Sequence, residues 1–154
     1  MKDSTATETD QGAPTARSTL FCSPARLPSD TRFKQLADRL LPTGSAQWVF
    51  FGLVWLALAL RLNLGVRPGL LLAAAATFAA AIWCLVNFWR CREAHCAVSG
   101  PGWAMLGALV LAEAVVGRSL VGSTESILFI AVLIVAYCFE FAWRARHGTN
   151  ALTH

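Results

Sequence analysis

The sequence predicts an all-α, polytopic membrane protein: a bundle of four transmembrane helices preceded by a short amphipathic helix. Three observations carry that prediction. Of the 154 residues, 56% are hydrophobic and only 14% charged, and the mean hydropathy is +0.53. A soluble domain of this size is nearer half apolar and a quarter charged. The apolar residues also fall into four long runs whose interiors have been cleared of most charge, as spans of a bilayer require. The basic residues stand at the ends of those runs, where they set orientation, so the net charge of +4 is no signal for nucleic acid.

Residues 1–28 are rich in Ser, Thr, Ala and Pro and hold few large apolar groups. Such a segment buries too little surface to offset its ordering entropy and reads as a disordered cytoplasmic tail. The first thirty residues contain no long apolar core behind a basic start, so the first apolar helix is expected to serve as the insertion signal. Residues 29–42 read as an amphipathic helix. Ser29, Asp30 and Thr31 offer capping oxygens, and Phe33, Leu36, Ala37, Leu40 and Leu41 share one face. Arg32, Lys34, Asp38 and Arg39 share the other, and Pro42 and Gly44 end the pattern. This helix is expected to lie in the headgroup region; the alternative is that it packs on the protein's own loops.

The transmembrane domain is expected over residues 46–146, with spans at about 47–64, 69–90, 101–117 and 126–143. The first ends near Arg61, close enough to the boundary for its side chain to snorkel outward. The 66–69 stretch, with Pro68 and Gly69, reads as a tight turn. In the second span Ala76, Ala80 and Cys84 form a row of small residues that permits close helix approach; Ala104, Ala108 and Ala112 do the same in the third. Pro101 is placed at the start of the third helix, where its missing N–H costs nothing. Residues 147–154 read as a loose tail.

Near-membrane basic residues number seven on the side shared by both termini and the 90–100 stretch (Arg32, Lys34, Arg39, Arg90, Arg92, Arg144, Arg146). They number three on the other (Arg61, Arg67, Arg118). The positive-inside tendency then places both termini in the cytoplasm, with the protein in a cell inner membrane. Trp48, Trp89, Trp103 and Trp143 are expected at that same end as an interfacial belt.

The chemistry concentrates between the second and third spans. Cys91 and His95 are four apart, and Cys96 follows. If the second helix continues, Cys91 and His95 share a face, with Cys84 and Asn87 one or two turns behind. The guanidiniums of Arg90 and Arg92, and the N–H groups of the following helix, would favour thiolate over thiol. Two thiolates and an imidazole form a soft ligand set suited to mercuric, cuprous or zinc ions. Cys91, His95 and Cys96 are therefore the candidate metal ligands, and Cys84, Asn87, Arg90 and Arg92 candidate relay or supporting groups. The competing reading is a cytosolic hairpin with packing cysteines and His95 as a helix cap.

Two acids lie inside apolar runs, where an ionisable group is a functional candidate by default. Glu140 has Arg144 one turn on and is expected to pair with it. Glu113 lies near the outer boundary, within reach of Arg61, Arg67 or Arg118. The five cysteines (Cys22, Cys84, Cys91, Cys96, Cys138) are odd in number and scattered, unlike a secreted disulfide framework. No nucleotide loop, catalytic triad or carboxylate pair appears, so no enzyme is expected.

The run Arg90-Cys91, His95-Cys96, Gly100-Pro101, preceded by Asn87, resembles a group of small prokaryotic four-span membrane proteins with no settled function. The general plan, with cysteines in and beside a few short spans, is similar to the Mer-type mercuric-ion transporters. The ligand cluster at a membrane face points to binding and movement or handover of a soft ion, with the bilayer, a cytoplasmic metal-handling protein and a second copy of the chain as the expected partners. The alternatives are a scaffold or accessory subunit, in which the thiols are dispensable, and a thiol-redox protein in which Cys91 and Cys96 cycle to a disulfide.

Overall fold

The computed structural model describes residues 45–121 and 124–152. The expected tail at 1–28, the amphipathic helix at 29–42 and Cys22 lie outside the described residues. The described part is helical throughout, with no strand beyond one isolated antiparallel bridge. Helix α1 covers Ser45–Leu60 and runs into a 3-10 turn at Arg61–Asn63. Helices α2, α3 and α4 cover Val66–Cys91, Ala94–Val116 and Glu125–His147. All four are long and apolar enough to cross a membrane, over Ala46–Asn63, Val66–Arg90, Ala94–Val116 and Glu125–His147. A 23-residue helix reaches roughly 34 Å, matching the hydrocarbon core. The outward faces carry Met105, Val115 and Phe141, each at least 70% exposed, a surface suited to lipid rather than water.

Local chemistry sets each boundary. Pro68 occupies the first turn of α2, where no backbone N–H is needed. Helix α2 ends on Arg92, held left-handed at φ 55° with its N–H on the Phe88 carbonyl at 2.8 Å. Helices α3 and α4 end on glycines at positive φ: Gly117 bonds the Glu113 carbonyl and Gly148 that of Arg144, both at 2.8 Å.

Helix α3 starts at Ala94, seven residues before the expected start at Pro101, which instead sits inside the helix. Glu93 is the extended N-cap, and the Cys96 N–H bonds its carbonyl at 3.2 Å. Neighbouring helices make an internal proline tolerable in such a span. The stretch expected as a loop is thus two residues, Arg92 and Glu93. The earlier start carries Trp103 about 13 Å into the bundle. It is 1% exposed, stacks on Phe129 at 4.6 Å and donates its Nε1–H to the Phe129 carbonyl, so it does not belong to an interfacial belt.

The α2–α3 seam is tight. Ala76, Ala80 and Cys84 are buried in it as expected, but Ala108 and Ala112 face outward. The buried row of α3 is Gly100, Trp103, Gly107, Val110 and Ala114. A Cβ on Gly107 would lie 3.1 Å from the Phe78 ring, and one on Gly100 2.9 Å from Leu85. These close approaches lock the antiparallel pair and bring the end of α2 against the start of α3.

At the far end, Arg61 is buried and paired with Glu125 at 2.8 Å, and Ser119 donates to the other Glu125 oxygen at 3.1 Å. Arg61 therefore turns inward rather than snorkelling. Glu113 does not pair with an arginine. It is fully buried and accepts the backbone N–H groups of Leu120 and Val121 at 2.6 and 3.0 Å, which caps the α3–α4 turn.

Candidate metal centre

The opposite end gathers the start of α1, the α2–α3 turn and the end of α4. The residues after α4 fold back over the turn. Ala94 N–H bonds the Asn150 carbonyl at 2.9 Å, Leu152 N–H bonds the Arg92 carbonyl at 2.7 Å, and Glu93 and Ala151 form an antiparallel bridge. The tail from Gly148 to Leu152, expected to be loose, is held along the turn by these bonds. Its backbone strap leaves Ala94 with no exposed surface and fixes the first turn of α3, which carries His95 and Cys96.

His95 is held from three directions. Its Nδ1 lies 2.5 Å from Glu140 Oε2 on α4, and its ring stacks on Tyr137, one turn before Glu140, at 5.4 Å and 14°. Its Nε2 lies 3.5 Å from Glu93 Oε2. A hydrogen bond from Nδ1–H to Glu140 leaves Nε2 as a lone pair facing a second carboxylate oxygen. Two acceptors at that separation repel unless a proton or a metal cation lies between them. Cys96, 1% exposed, completes the group: the ligand atoms of Glu93, His95 and Cys96 all lie within 4.8 Å of one another. Around a tetrahedral zinc ion, ligand atoms stand roughly 3.5 Å apart, so small side-chain rotations would close the set. Burial pushes the Glu93 carboxyl above its ordinary range; the charges of His95 and Arg90 oppose that shift and Glu140 adds to it.

Around Cys96 the expected supporting groups assemble in part. Asn87 Nδ2 donates to Cys96 Sγ at 3.7 Å, and the buried Cys84 lines the same cavity as Cys96. Cys84 and Cys96 thus share that space across the helix seam. Arg90 is buried, near enough to Glu93 to oppose its burial shift. Arg92 serves as the left-handed cap and lays its guanidinium over the Phe88 ring at 5.9 Å, so its charge goes to an aromatic face. The backbone of Cys91 closes α2; its side chain lies outside the described set. Glu140 takes His95 in place of the expected partner Arg144. Glu113 sits at the far end, away from the cluster.

Sequence reasoning did not single out Glu93, which lies with His95 and Cys96, nor Glu140 and Tyr137 as the groups that hold His95. Glu93 was visible, as an acid between two candidate ligands. Glu140 and Tyr137 are more than forty residues from His95 and no local pattern marks them.

Cys84, Asn87, His95 and Cys96 line a cavity of about 160 Å³ between the four helices, walled by Phe51, Trp55, Trp83, Trp103 and Tyr137 and reaching Gln47 and Trp48 on α1. No family model matches the chain, and no curated protein or solved structure is significantly similar to it. The functional reading therefore rests on geometry and chemistry alone.

Proposed function

We propose that this chain is a small integral membrane protein that binds a soft or borderline metal ion at Glu93, His95 and Cys96 for transport or handover. One observation carries the reading: a carboxylate, an imidazole nitrogen and a thiol share a space 4.8 Å across at the end of a membrane bundle. Its second support is Glu140, which takes Nδ1 and leaves Nε2 for the ion, as carboxylates do behind metal-ligating histidines. A donor set of sulfur, nitrogen and one carboxylate suits zinc, cuprous or mercuric ions rather than magnesium or calcium. Cys91, the last residue of α2, is a further ligand candidate from its position in sequence.

The excess of basic residues at this end supports a cytoplasmic orientation for it, in an inner membrane. A recipient or donor of the ion would then be a cytoplasmic metal-handling protein. The test is stoichiometric binding to the full chain in detergent, by competition with a chromophoric chelator. Wild type is expected to hold about one zinc equivalent and His95→Ala/Cys96→Ser none. Equal binding by the two removes the reading, and the same titration on Cys91→Ser reports whether that thiol contributes.

A further inference from the structure

Two features lie beyond the Glu93–His95–Cys96 group. Cys84 is 4% exposed and lines the same cavity as Cys96, whose sulfur accepts from Asn87 Nδ2 at 3.7 Å. Both cysteines line the aromatic cavity, and Glu93 does not. We infer that Cys84 and Cys96 form a second, inner site that takes a two-coordinate, monovalent soft cation of the cuprous class. The inference rests on the metal-binding reading above, because Cys96 belongs to both sites.

The chemistry of the pocket selects the ion. The soft donors at its floor are two sulfurs, with His95 turned toward the two carboxylates. A zinc ion asks for four ligands and a calcium ion for six or more oxygens. A monovalent d10 ion is satisfied by two thiolates in a near-linear arrangement and prefers sulfur to oxygen. Trp83 and Trp103 line the cavity with apolar surface, so a strongly hydrated ion would lose its shell there without replacement. Uptake balances simply: one cation forms two metal–sulfur bonds and the two thiol protons leave to solvent. The Asn87 N–H on Cys96 offsets part of the thiolate charge. Since Cys96 is shared, an ion can pass between the outer and inner sites by exchanging one ligand at a time.

The full chain in detergent is titrated anaerobically with Cu(I) against bicinchoninate and, separately, with Zn(II). Cys84→Ala is expected to abolish measurable Cu(I) binding, because it removes one of only two ligands, while Zn(II) binding, for which Cys84 only supports Cys96, falls by no more than about 10-fold. Glu93→Gln is expected to weaken Zn(II) binding by at least about 100-fold while leaving Cu(I) binding unchanged. Circular dichroism and gel filtration confirm that both variants keep the fold. X-ray absorption at the copper edge is expected to show two sulfurs and no oxygen or nitrogen. Cu(I) affinity unchanged in Cys84→Ala, with Zn(II) still lost in His95→Ala, overturns the inner site and leaves the outer one standing. Absence of both metals from wild type overturns both.

Discussion

His95 carries two carboxylate neighbours that do different work. Glu140, at 2.5 Å from Nδ1, orients the ring; Glu93, at 3.5 Å from Nε2, shares the ligand space. Replacing Glu140 by glutamine keeps the shape but removes the charge that fixes the ring. Glu140→Gln is expected to weaken zinc binding by about 10- to 100-fold with no change in helical content, measured by chelator competition and circular dichroism. Burial raises the Glu93 carboxyl above its ordinary 4.5. The folded chain therefore binds this proton more tightly than the unfolded chain does. The Glu93 contribution is fully present at pH below 4.5, and it is lost as pH rises from there through the raised folded value. Glu93→Gln removes that dependence. Its thermal midpoint, followed from pH 4 to 8 without metal, is expected to gain on wild type across this window; parallel curves would contradict it. That His95 and Cys96 lie close together was legible from their adjacency in the sequence. Glu140 and Tyr137 were not, because a contact across 45 residues depends on how helices pack rather than on any local pattern.

At the level of helices, the seam between α2 and α3 sets the site, because it brings Asn87 against Cys96 and Cys84 into the same cavity. The sequence pointed to the small-residue row of α2 but chose the wrong row on α3. Ala104, Ala108 and Ala112 have the right spacing, yet the glycines at 100 and 107 permit the closer approach. Composition identifies small residues; which face meets a partner is tertiary information. Pro101 misled for a related reason, since a missing N–H marks a helix start only where no neighbour supports an earlier one. Here the Glu93 cap and the 150–152 strap do so. Gly107→Val would drive a branched side chain into the Phe78 ring, whose atoms stand 3.1 Å from the nearest added carbon. The expected cost is about 1–3 kcal/mol, read as a lowered thermal midpoint in detergent, with zinc affinity falling as the seam opens.

Across the whole molecule the two ends are built differently. The far end closes on polar pairs: Arg61 with Glu125, and Glu113 with the backbone of its own turn. The other end leaves a thiol, an imidazole and a carboxylate around shared space, beside an aromatic cavity. The four helices were legible because the bilayer imposes length and apolarity on each one separately. The ion pair at the far end was not, since its partners are 64 residues apart. The most direct measurement of the central claim is X-ray absorption at the zinc edge of the zinc-loaded full chain. A first shell of mixed sulfur and nitrogen or oxygen is expected, with the sulfur lost in Cys96→Ser and the imidazole scattering lost in His95→Ala. A shell of oxygen and nitrogen alone, the same in wild type and both variants, would contradict it.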